Sequence, residues 1–371
     1  MQSPANGHTD TTALSHVPRH EIVSHTISMQ GHRVFYLSCG PQDGVPVVLV
    51  HGWPELSWSW RHVLSHLGGM GFRAIAPDMR GYGRSQVYDD PAAYALRHQV
   101  ADLTGLADAL GLKRAVWVGH DWGAPAVWSV ASHHPDRCHG VANLCVPYRT
   151  LEFGMEHMLP LVDRTLYPED SAPYGQWAYQ RFYVEQFDRA TSVMEADVLC
   201  TVRALFRHGK PEALGKPSPH ADIFRNGGWF GGADKAPDLP LDTRVLTETD
   251  LAIYTDALSR NGFRGPNAYY LNDADNAAYS ATALNGGRLD MPVLFLAGRY
   301  DITCESVDSR LAEPMRESCR NLTERIVHSG HWMAQERPER VHLELTRWLL
   351  TKMPHLVPDD AAPTPEREIT C

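Results

Sequence analysis

The run Val116-Trp117-Val118-Gly119-His120-Asp121-Trp122-Gly123 places an apolar strand directly before a helix-like sequence, with the pattern Gly-x-Asp-x-Gly at the junction. A tight strand-to-helix turn needs small residues beside it, because only glycine tolerates a strained and crowded backbone. The residue at the centre of such a turn projects from the edge of the sheet. The pattern predicts an α/β fold in which the Asp121 carboxylate is exposed for chemistry. A polar turn without function is the alternative.

A carboxylate nucleophile narrows the substrates that such a site can take. A serine that attacked a saturated carbon would form an ether, which water does not readily cleave. A carboxylate that attacks the same carbon forms an ester, and water can attack the ester carbonyl in a second step. Asp121 therefore indicates a substrate with an electrophilic sp3 carbon, as in an epoxide or an alkyl halide.

Short apolar runs with the length of buried strands recur on both sides of this turn. Such runs are typical of a mostly parallel sheet that is covered on both faces. An alternating pattern around Gln30-Gly31 predicts a β-hairpin from residues 22–29 and 34–38. The other predicted strands are 47–50, 72–76, 115–118, 140–146, 293–297 and 325–327, and the predicted helices of the core are 98–110 and 340–352.

A long interval, residues 147–289, separates two of the predicted strands and exceeds the length of ordinary loops. It is rich in aromatic residues, Gly and Pro, and it contains helix-compatible stretches such as 179–187. We therefore expect a helical lid inserted into an α/β core. The two parts of that core are residues 21–146 and 290–353.

Composition limits the partners of this chain. Its 371 residues carry a formal net charge of −10, and no basic run supplies the field that would attract nucleic acid or an anionic membrane. A hydrophobic fraction of 43% and a charged fraction of 21% are ordinary for a globular protein. We expect a small neutral molecule as the partner. The composition leaves a monomer and a homodimer equally open.

Several features favour a cytoplasmic location. The seven cysteines are widely spaced, odd in number and without Cys-x-x-Cys pairing, which favours thiols in a reducing compartment. Residues 1–20 lack the pattern of a signal peptide, and no apolar run reaches membrane-spanning length. Residues 1–20 and 354–371 are expected to be flexible tails. Four histidines near the N-terminus match no common metal-ligand spacing: His8, His16, His20 and His25.

Two backbone N–H groups beside the turn are candidates for stabilising negative charge. The motif His51-Gly52-Trp53-Pro54 follows the predicted strand 47–50, at the edge of the sheet where Asp121 is expected. The amides of Trp53 and Trp122 would form the oxyanion hole for a tetrahedral intermediate of ester hydrolysis. An ordinary turn that contains a proline is the alternative for this motif.

A base and an acid follow later strands in the chain order that such a site requires. His331, in Ser329-Gly330-His331-Trp332, follows the last predicted strand and is the predicted base. Asp301 follows the preceding strand and is predicted to orient His331. The other position for the acid lies after strand 140–146, where no carboxylate occurs before Glu152.

Together these motifs resemble those of the soluble epoxide hydrolases of the α/β-hydrolase superfamily. The resemblance extends from about residue 21 to residue 352 and implies an α/β-hydrolase core with an inserted lid, or cap. Haloalkane dehalogenases share the individual motifs, so their joint order indicates an aspartate-nucleophile hydrolase without naming the substrate. The motifs are His51 to Pro54, Asp78-Met79-Arg80-Gly81-Tyr82-Gly83, Gly119 to Gly123, Asp301 and Gly330-His331-Trp332.

The resemblance also implies two lid tyrosines, which in that family hold the epoxide oxygen and protonate the leaving alkoxide. Similar stretches in this chain indicate Tyr179 and Tyr270. Tyr183 and Tyr269 are the alternatives if the register differs, and Ala268-Tyr269 stands where Asn-Trp is common in the family. A phenol, with a pKa of about 10, can donate a hydrogen bond and then a proton to an alkoxide, whereas a leaving halide needs no proton.

The activity implied is that of an epoxide hydrolase without a metal or organic cofactor. Asp121 would attack the epoxide, and His331, oriented by Asp301, would activate the water that hydrolyses the ester. The alternatives are a haloalkane dehalogenase, in which Trp122 and a lid donor would bind the halide, and a non-catalytic ligand receptor. An apolar, aromatic pocket is expected. Its candidate residues are Pro54, Trp177, Phe182 and Trp332.

Overall fold

The computed structural model describes residues 21–29 and 31–358 of the chain. Within these residues the strands are β1 Val23–Met29, β2 His32–Cys39, β3 Pro46–Val50, β4 Arg73–Pro77, β5 Ala115–His120, β6 Cys138–Leu144, β7 Leu289–Gly298 and β8 Cys319–Val327. They form one eight-stranded sheet in the order β1-β2-β4-β3-β5-β6-β7-β8. The pairs β1–β2 and β2–β4 are antiparallel, and the other pairs are parallel. The predicted α/β class and mostly parallel sheet are confirmed.

The α-helices are distributed in three groups along the chain. In the first part of the core they are α1 Arg61–Gly69, α2 Leu96–Ala109 and α3 Gly123–His133. Between β6 and β7 they are α4 Met155–Met158, α5 Ala178–Glu185, α6 Phe187–Glu195, α7 Val198–Leu205, α8 Glu248–Asn261, α9 Arg264–Ala268 and α10 Asp273–Ser280. After β7 they are α11 Glu313–Ser318, α12 Met333–Glu336 and α13 Pro338–Lys352. In the part of the chain that the structure describes, no helix combines the length and apolarity needed to cross a bilayer.

The core lies around the central strands because their sequence is apolar on both faces. Every residue of β5 is buried, and so are residues 47–50 of β3. Helix α3 packs against β5 and β6, and α13 packs against β7 and β8. The carboxyl ends of β3, β5, β7 and β8 therefore lie at one edge of a rigid sheet, and each is followed by a residue that the motifs singled out.

Some element boundaries differ from the predicted ones. The predicted helix 179–187 is broken, because Gln186 takes a non-helical conformation between α5 and α6. Strand β6 ends at Leu144, since Cys145 has a φ of 71° that turns the chain. Strand β8 begins six residues before residue 325, because its first part is a half-exposed edge strand with polar side chains and no apolar run.

The predicted tails are only partly described. Residues 1–20, with His8, His16 and His20, residue 30 and residues 359–371 lie outside the described residues. His25 lies in β1, where its Nε2 and the Ser38 hydroxyl are 2.8 Å apart. Residues 354–358 still pack on the core, with Leu356 only 8% exposed. The packed part of the chain therefore extends beyond the expected boundary at residue 353.

A half-buried carboxyl group joins the segment between β6 and β7 to the loop after β7. The Tyr167 hydroxyl donates to Glu305 Oε1 at 2.5 Å and accepts the Ser218 N–H at 2.8 Å. The backbone N–H of Glu305 in turn donates to Asp301 O at 3.0 Å. Burial raises the pKa of Glu305 to about 7, although the hydrogen bond from Tyr167 opposes this shift.

We expect Glu305→Gln to remove part of the pH dependence of stability. A carboxyl group whose pKa is raised by folding stabilises the fold below the unfolded pKa, and this contribution is lost as the pH rises through about 7. Between about pH 5 and pH 8 the free energy of unfolding should therefore fall by about 2 kcal/mol less in the variant than in the wild type. Urea unfolding measures this. Glu317→Gln, an exposed change on α11, is the control, and an equal fall in wild type and Glu305→Gln would contradict the prediction.

Candidate active site

The turn between β5 and α3 holds Asp121 in a strained conformation. Asp121 has a φ of 48°, in the left-handed region that non-glycine residues seldom adopt. A Cβ atom on Gly119 would lie 2.3 Å from Asn143 Oδ1, and one on Gly123 would lie 2.2 Å from Val50 O. Both glycines are therefore required for the turn to pack against the neighbouring strands. The turn directs the Asp121 side chain out of the sheet at the N-terminus of α3, where the helix dipole favours an anion.

The loop after β3 brings a hydrogen-bond donor to the same carboxylate. The Trp53 N–H donates to Asp121 Oδ1 at 2.6 Å. The approach is close, since a Cβ on Gly52 would lie 2.5 Å from Asp121 Cβ. Trp122, the other predicted donor, directly follows Asp121 and caps the N-terminus of α3. The Trp53 amide thus faces one oxygen of the Asp121 carboxylate, the position expected of an oxyanion-hole donor.

His331 lies between two carboxylates. Its Nε2 is 3.3 Å from Asp121 Oδ2, and its Nδ1 is 3.1 Å from Asp301 Oδ2. The N–H groups of Thr303 and Cys304 donate to Asp301 Oδ1 at 2.9 and 3.1 Å, which fixes that carboxylate. Burial lowers the pKa of His331, but the charge of Asp301 and the hydrogen bonds to both carboxylates outweigh burial and hold it well above its usual value. Burial likewise raises the pKa of Asp301, and His331 more than reverses that shift.

A second buried ion pair lies directly beneath these residues. Glu55 Oε2 accepts the Gly52 N–H at 3.0 Å and lies 2.7 Å from His120 Nδ1, while Gln335 donates to Oε1 at 2.9 Å. His120 Nε2 donates to His331 O at 2.8 Å. Both ring nitrogens of His120 face acceptors, so a ring that carries hydrogen on both nitrogens satisfies both contacts. Burial raises the pKa of Glu55, but His120 and the hydrogen bonds lower it to about 2.

Sequence reasoning gave Glu55 and His120 no role, although both adjoin motifs that it used. Glu55 directly follows the His51-to-Pro54 motif, and His120 directly precedes Asp121. The signal available in the sequence was that an acid and a base each stand next to a candidate catalytic motif. Their pairing depends on the alignment of β3 with β5, which neither local pattern reveals.

The lid segment closes a cavity of about 490 Å³ over this edge of the sheet. Asp121 and His331 line the cavity from the core, and Tyr179 and Tyr270 line it from the lid. The rings of the two tyrosines are edge-to-face, with centroids 5.8 Å apart. Burial raises the pKa of both phenols, so both keep their protons at neutral pH and can serve as donors.

The alternative tyrosines have hydroxyl groups that contact other partners. The Tyr183 hydroxyl is directed at Met194 Sδ, 3.7 Å away, and the Tyr269 hydroxyl donates to Arg80 O at 2.9 Å. Neither residue lines the cavity. The geometry therefore favours Tyr179 and Tyr270 over their neighbours as the lid donors.

Of the four residues predicted to line the pocket, the cavity includes one. Trp332 lines the cavity, and its indole donates to Leu205 O at 2.9 Å. Pro54, Trp177 and Phe182 do not line it. Pro54 is buried within a turn of the loop after β3, and Trp177 is only 2% exposed in the core of the lid. The Phe182 ring packs edge-on against Phe224, with the ring centroids 5.5 Å apart.

The cavity contains other aromatic residues that no sequence pattern singled out. Trp229 and His220 line it beside Tyr179. Trp229 and His220 lie in loops without helical or strand periodicity. Their position depends on how these loops fold back over α5, so only the composition of the segment hinted at them.

The clusters that could ligate a metal overlap with the same site. Among the described residues, the two such groups are His120 with Cys145 and His331, and Asp301 with Cys304 and His331. Each includes His331, and a metal there would displace the contact between His331 and Asp301 or the bond from His120 to His331 O. These groups are therefore better explained as parts of the hydrogen-bond network.

The geometry, with a carboxylate at a strand-to-helix turn and a His–Asp pair in the loops after later strands, is that of an α/β-hydrolase. Residues 45–338 match the family model described as alpha/beta hydrolase fold. Epoxide hydrolase B of Mycobacterium tuberculosis is 32% identical over 351 residues, which cover 88% of this chain and 98% of that protein. Epoxide hydrolase A of the same organism is 32% identical over 87% of this chain and 96% of its own length.

Solved structures give the same result. The crystal structure of epoxide hydrolase A from Mycobacterium thermoresistibile superposes with a TM-score of 0.74 at 30% identity, covering 89% of this chain and 99% of that one. An epoxide hydrolase from an endophytic Streptomyces superposes with a TM-score of 0.69 at 31% identity, covering 88% and 95%. The chain belongs to the epoxide hydrolase family of the α/β-hydrolase superfamily. The resemblance found in the sequence is confirmed.

We predict that Glu55 and His120 are strongly coupled in stability. Glu55→Gln and His120→Gln should each lower the free energy of unfolding by about 3 kcal/mol, because each leaves a buried partner uncompensated. The double variant should lose less than the sum of the two single losses, as urea unfolding of the four proteins will measure. The exposed pair Arg181 and Glu185 on α5 is the control, with an expected coupling of about 0.5 kcal/mol. Additive losses at Glu55 and His120 would show that the two charges do not interact.

Proposed function

We propose that this protein hydrolyses epoxides to vicinal diols through a covalent ester on Asp121. Membership of the epoxide hydrolase family supports this activity. The observation that carries the mechanism is the shared cavity, in which a carboxylate and an imidazole face two protonated phenols. A small apolar epoxide suits its aromatic walls.

In the first step, an Asp121 oxygen attacks an oxirane carbon and the bond from that carbon to the epoxide oxygen breaks. Tyr179 and Tyr270 donate hydrogen bonds to this oxygen, and one of them transfers its proton as the alkoxide forms. The strain of the three-membered ring and the two donors together make the alkoxide an acceptable leaving group. The product of this step is a hydroxyalkyl ester of Asp121.

In the second step, water hydrolyses the ester. His331 removes a proton from water as its oxygen attacks the ester carbonyl, and Asp301 stabilises the imidazolium that forms. The N–H groups of Trp53 and Trp122 hold the tetrahedral oxyanion. When this intermediate collapses, the bond between the carbonyl carbon and the alkyl oxygen breaks, and the diol leaves as that oxygen takes the hydrogen that the water left on the Asp121 carboxyl group. Asp121 regains its carboxylate with one oxygen from water.

The dehalogenase alternative has less support from the geometry. A halide site at Trp122 would need its indole N–H to reach the cavity, but Trp122 is 1% exposed and does not line the cavity. Its ring instead packs edge-on against Tyr269 and Tyr270. A receptor would need no charged network around His331, so the buried Asp121–His331–Asp301 arrangement supports an enzyme.

We expect the two lid phenols to act together on the epoxide oxygen. Tyr179→Phe and Tyr270→Phe should each lower kcat/KM by about 10- to 100-fold, and the double variant by about 1000-fold or more, because no donor then remains for the alkoxide. Diol formation from an aryl epoxide measures this effect. Tyr183→Phe is the matched control, since the Tyr183 hydroxyl faces Met194. Chloride release from a chloroalkane of similar size, without diol formation from the epoxide, would favour the dehalogenase.

His331→Gln should stop the reaction at the ester. Attack by Asp121 needs no base, whereas attack by water does, so the variant should accumulate a covalent adduct. Intact-protein mass spectrometry after mixing with the epoxide should show an increase equal to the mass of the substrate. Asp121→Asn is the control and should show no adduct. Continued turnover by His331→Gln with no adduct would indicate direct attack of water on the epoxide and would overturn the mechanism.

A further inference from the structure

His220 lines the cavity but takes no part in the proposed reaction. It lies in a short turn of the lid, Pro219–Asp222, directly beside Tyr179. Its ring centroid is 5.3 Å from that of Tyr179 and 5.6 Å from that of Trp229. A polar ring is thus packed against the phenol that is proposed to bind the epoxide oxygen.

One buried nitrogen in each of two neighbouring rings, His220 and Trp229, lacks a hydrogen bond. Within residues 21–29 and 31–358, His220 Nδ1 and Trp229 Nε1 are both buried without a partner. Buried polar groups normally have partners, and an unsatisfied one costs about 1–3 kcal/mol. Both residues line the cavity, so a bound molecule could supply the missing partner for the pair.

The charge on His220 limits what that partner can be. Burial and the positive charge of His331 lower the pKa of His220 to about 4, with Asp301 acting in the opposite direction. The ring is therefore neutral at physiological pH, and it has one N–H donor and one acceptor nitrogen. The Trp229 indole is a donor only. A hydroxyl group fits both residues, because it can accept from the indole and donate to the imidazole.

The turn that carries His220 is held firmly in place. The His220 backbone N–H donates to the Ser218 hydroxyl at 3.3 Å, and the Ser218 N–H donates to the Tyr167 hydroxyl. Tyr167 in turn bonds to Glu305, in the loop that carries Asp301. His220 is therefore fixed relative to the catalytic candidates before any substrate binds, as specificity by hydrogen bonding requires.

We propose that His220 and Trp229 form a subsite for a hydroxyl group on the substrate, so that the preferred epoxides carry a hydroxyl close to the oxirane. The Trp229 N–H donates to the hydroxyl oxygen, and the hydroxyl hydrogen is donated to His220 Nδ1. The subsite adjoins the ring of Tyr179, so the hydroxyl lies one or two carbons from the oxirane. This inference rests on the proposed epoxide hydrolysis and names the substrate class for it.

The test compares epoxides that differ by one hydroxyl group. The first pair is phenylglycidol, which carries a CH2OH group on the oxirane, and β-methylstyrene oxide, which carries a CH3 group there. The second pair consists of their homologues, with CH2CH2OH and CH2CH3 in the same position. We expect the wild type to favour the hydroxylated member of at least one pair by about tenfold or more in kcat/KM. His220→Phe and Trp229→Phe should each reduce this ratio to about 1–2, by slowing the hydroxylated substrate and leaving the other within about twofold.

Two further variants separate hydrogen bonding from packing. His220→Gln keeps a donor and an acceptor and should retain part of the preference. His208→Phe is the matched control, because His208 also lines the cavity but its Nδ1 is already 2.6 Å from Asp242 Oδ2. The ratio of kcat/KM between the hydroxylated epoxide and its partner should be the same in His208→Phe as in the wild type.

The outcomes distinguish this inference from the proposed function. Equal kcat/KM values for both members of both pairs in the wild type would overturn the hydroxyl subsite while leaving epoxide hydrolysis intact. A preference that survives in His220→Phe and Trp229→Phe would also overturn it. If the wild type opens none of the four epoxides, the proposed function fails together with the inference.

Discussion

The position of His331 between two carboxylates is the interaction on which the rest of the site depends. In the free protein the pKa of His331 is raised, because burial is outweighed by Asp301 and by the hydrogen bond to Asp121. In the proposed reaction, attack on the epoxide converts Asp121 into a neutral ester. The imidazolium then loses one of its two anionic partners, so its pKa falls and it can give up its proton to the phenolate that the first step leaves on a lid tyrosine. The base that the second step needs is thus produced by the first step.

The pairing of buried charges also accounts for the residues beneath Asp121, the proposed nucleophile. Five ionised or ionisable groups are buried within a small volume, and each acid contacts a base: Glu55 with His120, and both Asp121 and Asp301 with His331. Burying charge is costly unless it is paired and hydrogen-bonded. The two parts are connected, because His120 Nε2 donates to His331 O. The Glu55 pair therefore holds both the Gly52 N–H, beside the proposed oxyanion hole, and the backbone of His331, the proposed base.

The sheet and the residues at its edge could be predicted from the sequence, because local patterns determine them. These patterns depend only on neighbours in the chain. Apolar runs predicted the sheet, the glycines around Asp121 predicted the tight turn, and the loops after later strands predicted Asp301 and His331. The cavity walls could not be found in this way. Phe182 and Tyr179 share one short helix, yet only Tyr179 lines the cavity. Trp229 is brought to the cavity by a loop whose path depends on tertiary packing.

The distinction among the lid tyrosines shows how that packing assigns chemistry. A buried hydroxyl needs a partner, and the four candidate lid phenols meet in one aromatic cluster that includes Trp122. The protein supplies acceptors for Tyr183 and Tyr269 at Met194 and Arg80. At Tyr179 it supplies a donor instead, since the Gln180 side-chain N–H donates to the phenol oxygen at 3.3 Å. The Tyr179 hydroxyl therefore remains free to donate to an acceptor in the cavity. In the proposed reaction that acceptor is the oxirane oxygen.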